Sequence, residues 1–211
     1  MTDDADGTTD QEATVNDTVA EAAEAIRHGQ LAVYPTETVY GLGADALDAD
    51  AVERVFAAKN RNRGNPVSLA VPDVASTTEY TAPTDRERAF MEAFLPGPVT
   101  VVLERRPMVP DALTAGRDRV GVRVPDHEIA LSLLREAAPV TATSANVSGR
   151  PSARGVADLD DWIRESATVV VDGGETPGGG STVVDVAREE IHRRGPLADD
   201  IEAWLAEHRA L

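Results

Sequence analysis

Apolar residues recur along this chain with two alternating periods, and the switching between them predicts helices interleaved with strands. Val19, Ala22, Ala23 and Ile26 fall three or four residues apart behind Asn16 or Asp17, either of which can cap a helix, and Gly29 ends the run. The unbroken apolar run over 31–34 reads as a buried strand halted by Pro35. The alternation continues with a helix over 48–59, carrying Val52, Val55 and Phe56 on one face, a strand over 67–71 and a helix over 85–94. A strand over 98–103 follows the Pro96-Gly97-Pro98 turn, then come a strand over 120–124, a helix over 128–137 and a short strand over 140–143. Farther on, 157–163 reads as helical, 168–172 and 182–186 as strands, and 201–209 as a closing helix. Residues 1–15 are polar, acidic and aperiodic, and are expected to form a disordered tail ahead of one domain over 16–211. The alternation implies an α/β layered fold, with no internal repeat or linker to divide it.

Charge changes the picture. The 211 residues carry 37 Asp and Glu against 20 Lys and Arg, a net charge of -17, with 42% apolar residues. Such apolar content opposes a wholly disordered acidic chain, and the acidic excess with few aromatics suits a protein kept soluble in concentrated salt. There is no cysteine, hence no disulfide framework and no thiolate chemistry. The first residues lack a basic and apolar leader pattern, and no stretch reaches bilayer length, so a cytoplasmic protein without a membrane anchor is expected.

A chain this negative repels ATP and RNA, so a polyanion site needs a local concentration of positive charge. The arginines do cluster, at 61 and 63, at 105 and 106, at 117, 119 and 123, and at 193 and 194, although any single Arg is more often a surface partner of an acid. The composition contains one lysine, Lys59, inside the polar segment 59–66. An ammonium is a compact point charge suited to a phosphate, whereas a guanidinium is a planar fork. Lys59 ends the helical pattern, so its side chain is expected to reach away from the core, where a lone surface lysine would be the plainer reading.

Three segments at predicted strand ends carry candidate chemistry. Residues 35–43 place hydroxyls, a carboxylate and two glycines after a buried strand, where an α/β sheet opens its ligand crevice. Residues 143–149 place Ser and Asn at a loop, which are also ordinary capping residues. The glycine-rich stretch 173–182 can present backbone N–H groups to an anion, but it has the spacing of neither a P-loop nor a dinucleotide fingerprint.

In this order the segments resemble the YrdC family of threonylcarbamoyl-AMP synthases over nearly the whole chain after the tail. The resemblance rests on PTETVYGLG at 35–43, Lys59 and Arg61 with Asn65-Pro66, PGPVT at 96–100, VRVPDH at 122–127, TSANVSG at 143–149, STVVD at 181–185 and RRG at 193–195. It implies a twisted open mixed sheet flanked by helices around a central cavity. The implied reaction joins L-threonine, bicarbonate or carbon dioxide, and ATP into threonylcarbamoyl-adenylate with release of pyrophosphate, for a modification of tRNA. Lys59, Arg61, Ser144 and Asn146 then match the nucleotide-contacting tetrad, with Asn65 and Arg194 joining the nucleotide site. Thr38, Arg123, Thr143 and Ser181 become candidates for threonine and its carbamate. Magnesium would travel with the nucleotide phosphates, no protein metal site is implied, and tRNA and the transferase that consumes the intermediate are candidate partners. Three positions depart from the family pattern. Asn62 replaces a proline, Ala70 a histidine thought to touch threonine, and Gly180 an acid. The chain has no room for the second domain of longer members and resembles the single-domain branch. Two alternatives are a non-catalytic double-stranded RNA or tRNA module, which an acidic surface opposes, and the related domain of hydrogenase-maturation carbamoyltransferases, whose zinc fingers need cysteines this chain lacks.

Overall fold

The computed structural model describes residues 6–209. In chain order these form α1 (Asp6–Arg27), β1 (Ala32–Tyr34), β2 (Gly41–Gly43), α2 (Ala49–Lys59), β3 (Ser68–Ala70), α3 (Thr77–Tyr80), α4 (Asp85–Phe94), β4 (Val99–Glu104), α5 (Asp111–Thr114) and β5 (Arg119–Arg123). They continue as α6 (Glu128–Ala137), β6 (Val140–Ala142), a 3-10 turn (Val156–Asp158), α7 (Asp161–Ser166), β7 (Val169–Val170), β8 (Thr182–Asp185), β9 (Glu190–Arg193) and α8 (Ala198–Glu207).

Local chemistry sets several of these boundaries. The Asp48 carboxylate accepts from Asp50 N at 2.9 Å and starts α2, and Asn60, at φ 46°, stops it in a left-handed cap. Thr84 and Glu87 close a reciprocal capping box at the head of α4. The helix at the chain start begins at Asp6, ahead of the caps expected at Asn16 and Asp17, and Val15 packs against the cluster formed by α1 and α6. The tail expected over 1–15 is therefore helical from Asp6 onward, and 1–5 lie outside the described residues. The stretch expected as one helix over 157–163 is a 3-10 turn followed by α7.

Six strands form a mixed sheet in the order β6-β3-β5-β4-β8-β9, and three more are ordered β2-β1-β7. Backbone bonds join the two. Leu42 N donates to Thr143 O at 2.8 Å, Ala145 N to Tyr40 O at 2.7 Å and Thr141 N to Ala44 O at 2.9 Å. The junction is tight, because a Cβ at Gly43 would fall 2.8 Å from Val140 Cγ1 and 2.9 Å from the Tyr34 ring. Helices α4 and α8 bury Phe90, Met91, Ile201 and Leu205 against the large sheet, while α1 and α6 cover the β1 side with Val19, Ile26, Leu133 and Leu134. The third apolar cluster lies among α2, α7 and the β1–β2 hairpin, around Val33, Leu42, Val55 and Ile163. These layers bring the loops at 35–40, 60–66, 143–149 and 173–181 to one cavity.

Candidate active site

The cavity has a volume of about 740 Å³ and its floor is the large sheet. Alternation along β5 turns Arg119, Gly121 and Arg123 onto it, and β8 does the same with Thr182's neighbours Ser181 and Val183 and with Asp185. Gly121 is needed there: a Cβ would meet Ser68 Oγ at 2.3 Å on the adjoining strand.

One wall is the loop after β1. Arg123 Nη2 donates to Thr38 Oγ1 at 2.8 Å and to Glu37 Oε1 at 2.6 Å. Thr36 Oγ1 shares a hydrogen bond with Thr38 Oγ1 at 3.0 Å and donates to Val39 O at 2.7 Å. Both threonines are buried and line the cavity.

The second wall is the 143–149 loop, and it revises the role expected for the lone lysine. Lys59 is 1% exposed and does not reach away from the core. Its Nζ donates to Ser144 O and to Asn146 O, the latter at 2.8 Å. Burial, with a smaller contribution from Arg61, lowers its pKa to about 8. A compact ammonium fits between two converging carbonyls, so the composition keeps lysine where the loop needs a short donor. Asn146 is also turned inward. Its Nδ2 donates to Val147 O and Arg150 O, both at 2.9 Å, and its Oδ1 accepts from Ser144 Oγ. Of the expected tetrad, Arg61 and Ser144 face the cavity, with Thr143 beside them, whereas Lys59 and Asn146 hold the loop that presents Ser144.

Arg61 is anchored through Nε to Asn65 O and through Nη2 to Pro66 O, each at 3.0 Å. Asn65 thus contributes a main-chain carbonyl to the site's frame, and its exposed side chain does not line the cavity.

The third wall is the 178–181 segment. Gly178 N donates to Thr38 O at 2.7 Å, and Gly178 and Gly179 adopt φ of 91° and 88°, which favours glycine. Ser181 Oγ bonds Thr100 Oγ1 at 2.9 Å and accepts from Arg193 Nη2 at 2.8 Å. Here the structure corrects the expectation for Arg194. That side chain points outward to Asp199 at 2.5 Å and to Glu202, while Arg193 lines the cavity. Neighbouring residues at a strand end face opposite ways, and β9 was not recognised from the sequence, so its parity was not available. Burial, followed by Arg123 and then Arg61, lowers the Arg193 pKa, which places three guanidiniums within each other's field. Burial lowers that of Arg61 as well.

Glu37, the carboxylate of the 35–43 segment, had no role expected of it, and Tyr34 was expected only as part of a buried strand. Tyr34 lies fully inside the fold, and desolvation raises its pKa to about 12 against the pull of Arg123. Ala70, where a histidine was the family expectation, lines the cavity with its methyl group. Among the described residues no three His, Asp or Glu side chains converge to hold a metal, and no helix is long and apolar enough to cross a membrane. A cavity into which Arg61, Arg123 and Arg193 converge beside the hydroxyls of Thr38, Thr143, Ser144 and Ser181 is chemically equipped to bind anions and align them.

A profile of the Sua5/YciO/YrdC family, described as "Telomere recombination", matches residues 24–195. The chain belongs to this family. It is 44% identical over 195 residues to the threonylcarbamoyl-AMP synthase of Pyrococcus abyssi, a match covering 89% of this chain and 57% of the relative. It is 42% identical over 190 residues to that of Bacillus subtilis, covering 85% and 53%. The chain thus spans little more than half the length of these two Sua5/YciO/YrdC relatives. A putative threonylcarbamoyl-AMP synthase of Mycobacterium tuberculosis is 35% identical over 187 residues, covering 86% of both chains. Among solved structures, P. abyssi Sua5 complexed with L-threonine superposes with a TM-score of 0.82 at 38% identity, covering 91% of this chain and 58% of that one. Escherichia coli YciO does so at 0.78 and 25% identity, covering 87% and 92%. The α/β fold with mixed sheets flanked by helices is that of the family.

Proposed function

We propose that this protein is a nucleotidyltransferase that joins L-threonine, bicarbonate or carbon dioxide, and ATP into threonylcarbamoyl-adenylate, releasing pyrophosphate. The observation that carries this reading is the convergence of Arg61, Arg123 and Arg193 on one hydroxyl-lined cavity in a chain of net charge -17. Positive charge concentrated there, in a chain whose overall charge is strongly negative, fits two anionic substrates, a triphosphate and an amino-acid carboxylate. The relatives named threonylcarbamoyl-AMP synthase and the threonine-bound P. abyssi structure support the same reading.

Arg123 and Thr38 receive the threonine carboxylate, with Thr143 and Ser181 facing its hydroxyl and the carbamate. Arg61, Arg193 and Ser144 face the phosphates, and Lys59 and Asn146 keep Ser144 in place. Charge developing on the α-phosphate is met by fixed cations, so catalysis comes from alignment and electrostatics. Magnesium would arrive with the nucleotide on its phosphates and would neutralise part of their charge there. The product would pass to a cytoplasmic threonylcarbamoyl transferase for tRNA modification, with tRNA contact or docking to that transferase as the route of delivery. In the assay that tests this, the purified protein releases pyrophosphate from ATP when threonine and bicarbonate are both supplied. Release that continues without an amino acid would defeat the assignment.

A further inference from the structure

Three buried polar atoms without hydrogen-bond partners belong to Glu37 and Arg123, which pair beside Thr38, and to His127, which feels the charge of Glu37: Glu37 Oε2, Arg123 Nε and His127 Nδ1. Buried polar atoms are nearly always satisfied, so such a group is a candidate for chemistry. Glu37 sits between the lining residues Thr36 and Thr38, with its side chain 15% exposed. Its Oε1 and the Thr38 hydroxyl share one guanidinium nitrogen, at 2.6 and 2.8 Å. A ligand seated on Thr38 and Arg123 therefore lies beside this carboxylate. His127 stands at the head of α6, and its ring caps no backbone N–H.

The chemistry needs two proton acceptors. Forming a carbamate from an α-ammonium and carbon dioxide releases two protons. The first leaves nitrogen to expose the lone pair that attacks carbon, and the second leaves once the N–C bond has formed, giving R–NH–COO⁻. Resting on the synthase reading above, we propose that Glu37 and His127 are the two proton acceptors of the carboxylation step. Glu37 takes the proton of the ammonium and becomes a neutral acid. His127, in the tautomer with its proton on Nε2, takes the second on Nδ1. Protonation of Glu37 also releases Arg123 from its internal carboxylate as the carbamate anion appears, so the cation passes from one anion to the next.

The surroundings fit these roles. Glu37 is faced by Arg123 from β5, by Tyr34 from β1 and by His127 from the start of α6, and Arg193 adds its charge near Arg123. Burial lowers the His127 pKa against the opposing pull of Glu37, Glu128 and Asp126, which keeps the imidazole neutral and able to accept.

The test measures pyrophosphate release by the full chain with ATP, threonine and bicarbonate as pH is raised from about 5 to about 9.5, across the titrations of an imidazole and of a free α-amino group. Glu37→Gln keeps an acceptor for Arg123 but takes no proton. Its kcat should fall about 100-fold at the acid end, with the threonine KM unchanged, and the loss should shrink as the amine deprotonates unaided. His127→Gln should remove the acid limb of the wild-type profile. A Glu37→Gln deficit that is the same at every pH, or that resides wholly in threonine KM, would mean that Glu37 only orients Arg123 and would overturn the proposal. If Glu37→Gln fails to melt cooperatively, an unaltered profile in His127→Gln overturns it instead. Wild-type protein inert at every pH would defeat the synthase reading itself, whereas active wild type with a fully active Glu37→Gln defeats this step alone.

Discussion

Arg119 and Arg123 stand on the same face of β5, either side of Gly121, yet they live in opposite environments. The Arg119 Nη2 donates to Glu87 Oε1 at 2.9 Å, Val102 O at 2.5 Å and Asp185 Oδ1 at 3.1 Å, and its Nε is in ion-pair contact with Asp185 Oδ2 at 3.0 Å. Its two carboxylates are 2% and 0% exposed. Arg123 has one carboxylate partner, on a single nitrogen, and that carboxylate is less buried than either partner of Arg119. Arg119 is a cross-link, tying α4 to β5, β4 and β8 through two buried carboxylates, although its side chain also borders the cavity. Arg123 keeps an unspent edge beside the cavity. Two arginines four residues apart are indistinguishable by type, and what separates them is how many acids the fold brings to each.

The largest effect comes from breaking the saturated side. Arg119→Met leaves Glu87 buried without its cation and Asp185 with only Arg188 at 3.8 Å, which should cost about 3–5 kcal/mol of unfolding free energy in denaturant titrations. Arg123→Met leaves a partly accessible Glu37 and should cost about 1 kcal/mol or less, while abolishing threonine-dependent pyrophosphate release. Equal stability losses in the two variants would erase the distinction. A smaller contrast lies one residue apart. Arg193→Ala removes a donor to Ser181 and a cation facing the phosphates, so ATP-dependent turnover should fall about 10-fold to 100-fold. Arg194→Ala removes exposed surface pairs and should leave turnover unchanged and stability within about 0.5 kcal/mol. Matching kinetics in the two would return Arg194 to the site.

How much of this was legible follows from the reach of each signal. Helices α2, α4 and α6 carry long periodic apolar faces and local caps such as Asp48 and Thr84, so their positions lie close to the expected 48–59, 85–94 and 128–137. Strands of three residues such as β2 carry too little pattern, and Gly41 and Gly43 read as loop because glycine weakens strand propensity. β9 is exposed along most of its length, with Glu190, His192 and Arg193 around one apolar Ile191, so no alternation announced it. That is why Arg194 was expected where Arg193 stands. The motifs at 35–43 and 143–149 lie on loops that line the cavity, with Thr38, Thr143 and Ser144 facing it. Which side chains line a site and which support it is a tertiary property. Lys59 and Ser144 are 85 residues apart in sequence, and nothing near either one signals that the ammonium spans them.

The mildest test sets Arg119 against Lys59, one half-buried and one buried cation that bridge elements but differ in whether they can lose the proton. The Lys59 pKa falls from 10.5 to about 8 in the folded chain, through burial first and Arg61 second. Above pH 8 the unfolded chain holds a proton at this site that the native protein has released, so the native state gains stability as pH rises toward 10.5. Above pH 10 the opposite linkage from Tyr34 begins, because its pKa is raised to about 12 and the unfolded chain loses that proton first. The clean window is therefore pH 8 to 10. Comparing wild type with Lys59→Met cancels every other titration, and the wild type should gain on the order of 1 kcal/mol relative to the variant across that window. Arg119→Met should show no such pH-dependent difference from wild type there. Parallel urea midpoints for wild type and Lys59→Met from pH 8 to 10 would mean that the ammonium between Ser144 O and Asn146 O titrates as an exposed lysine does, and the loop would then need another support.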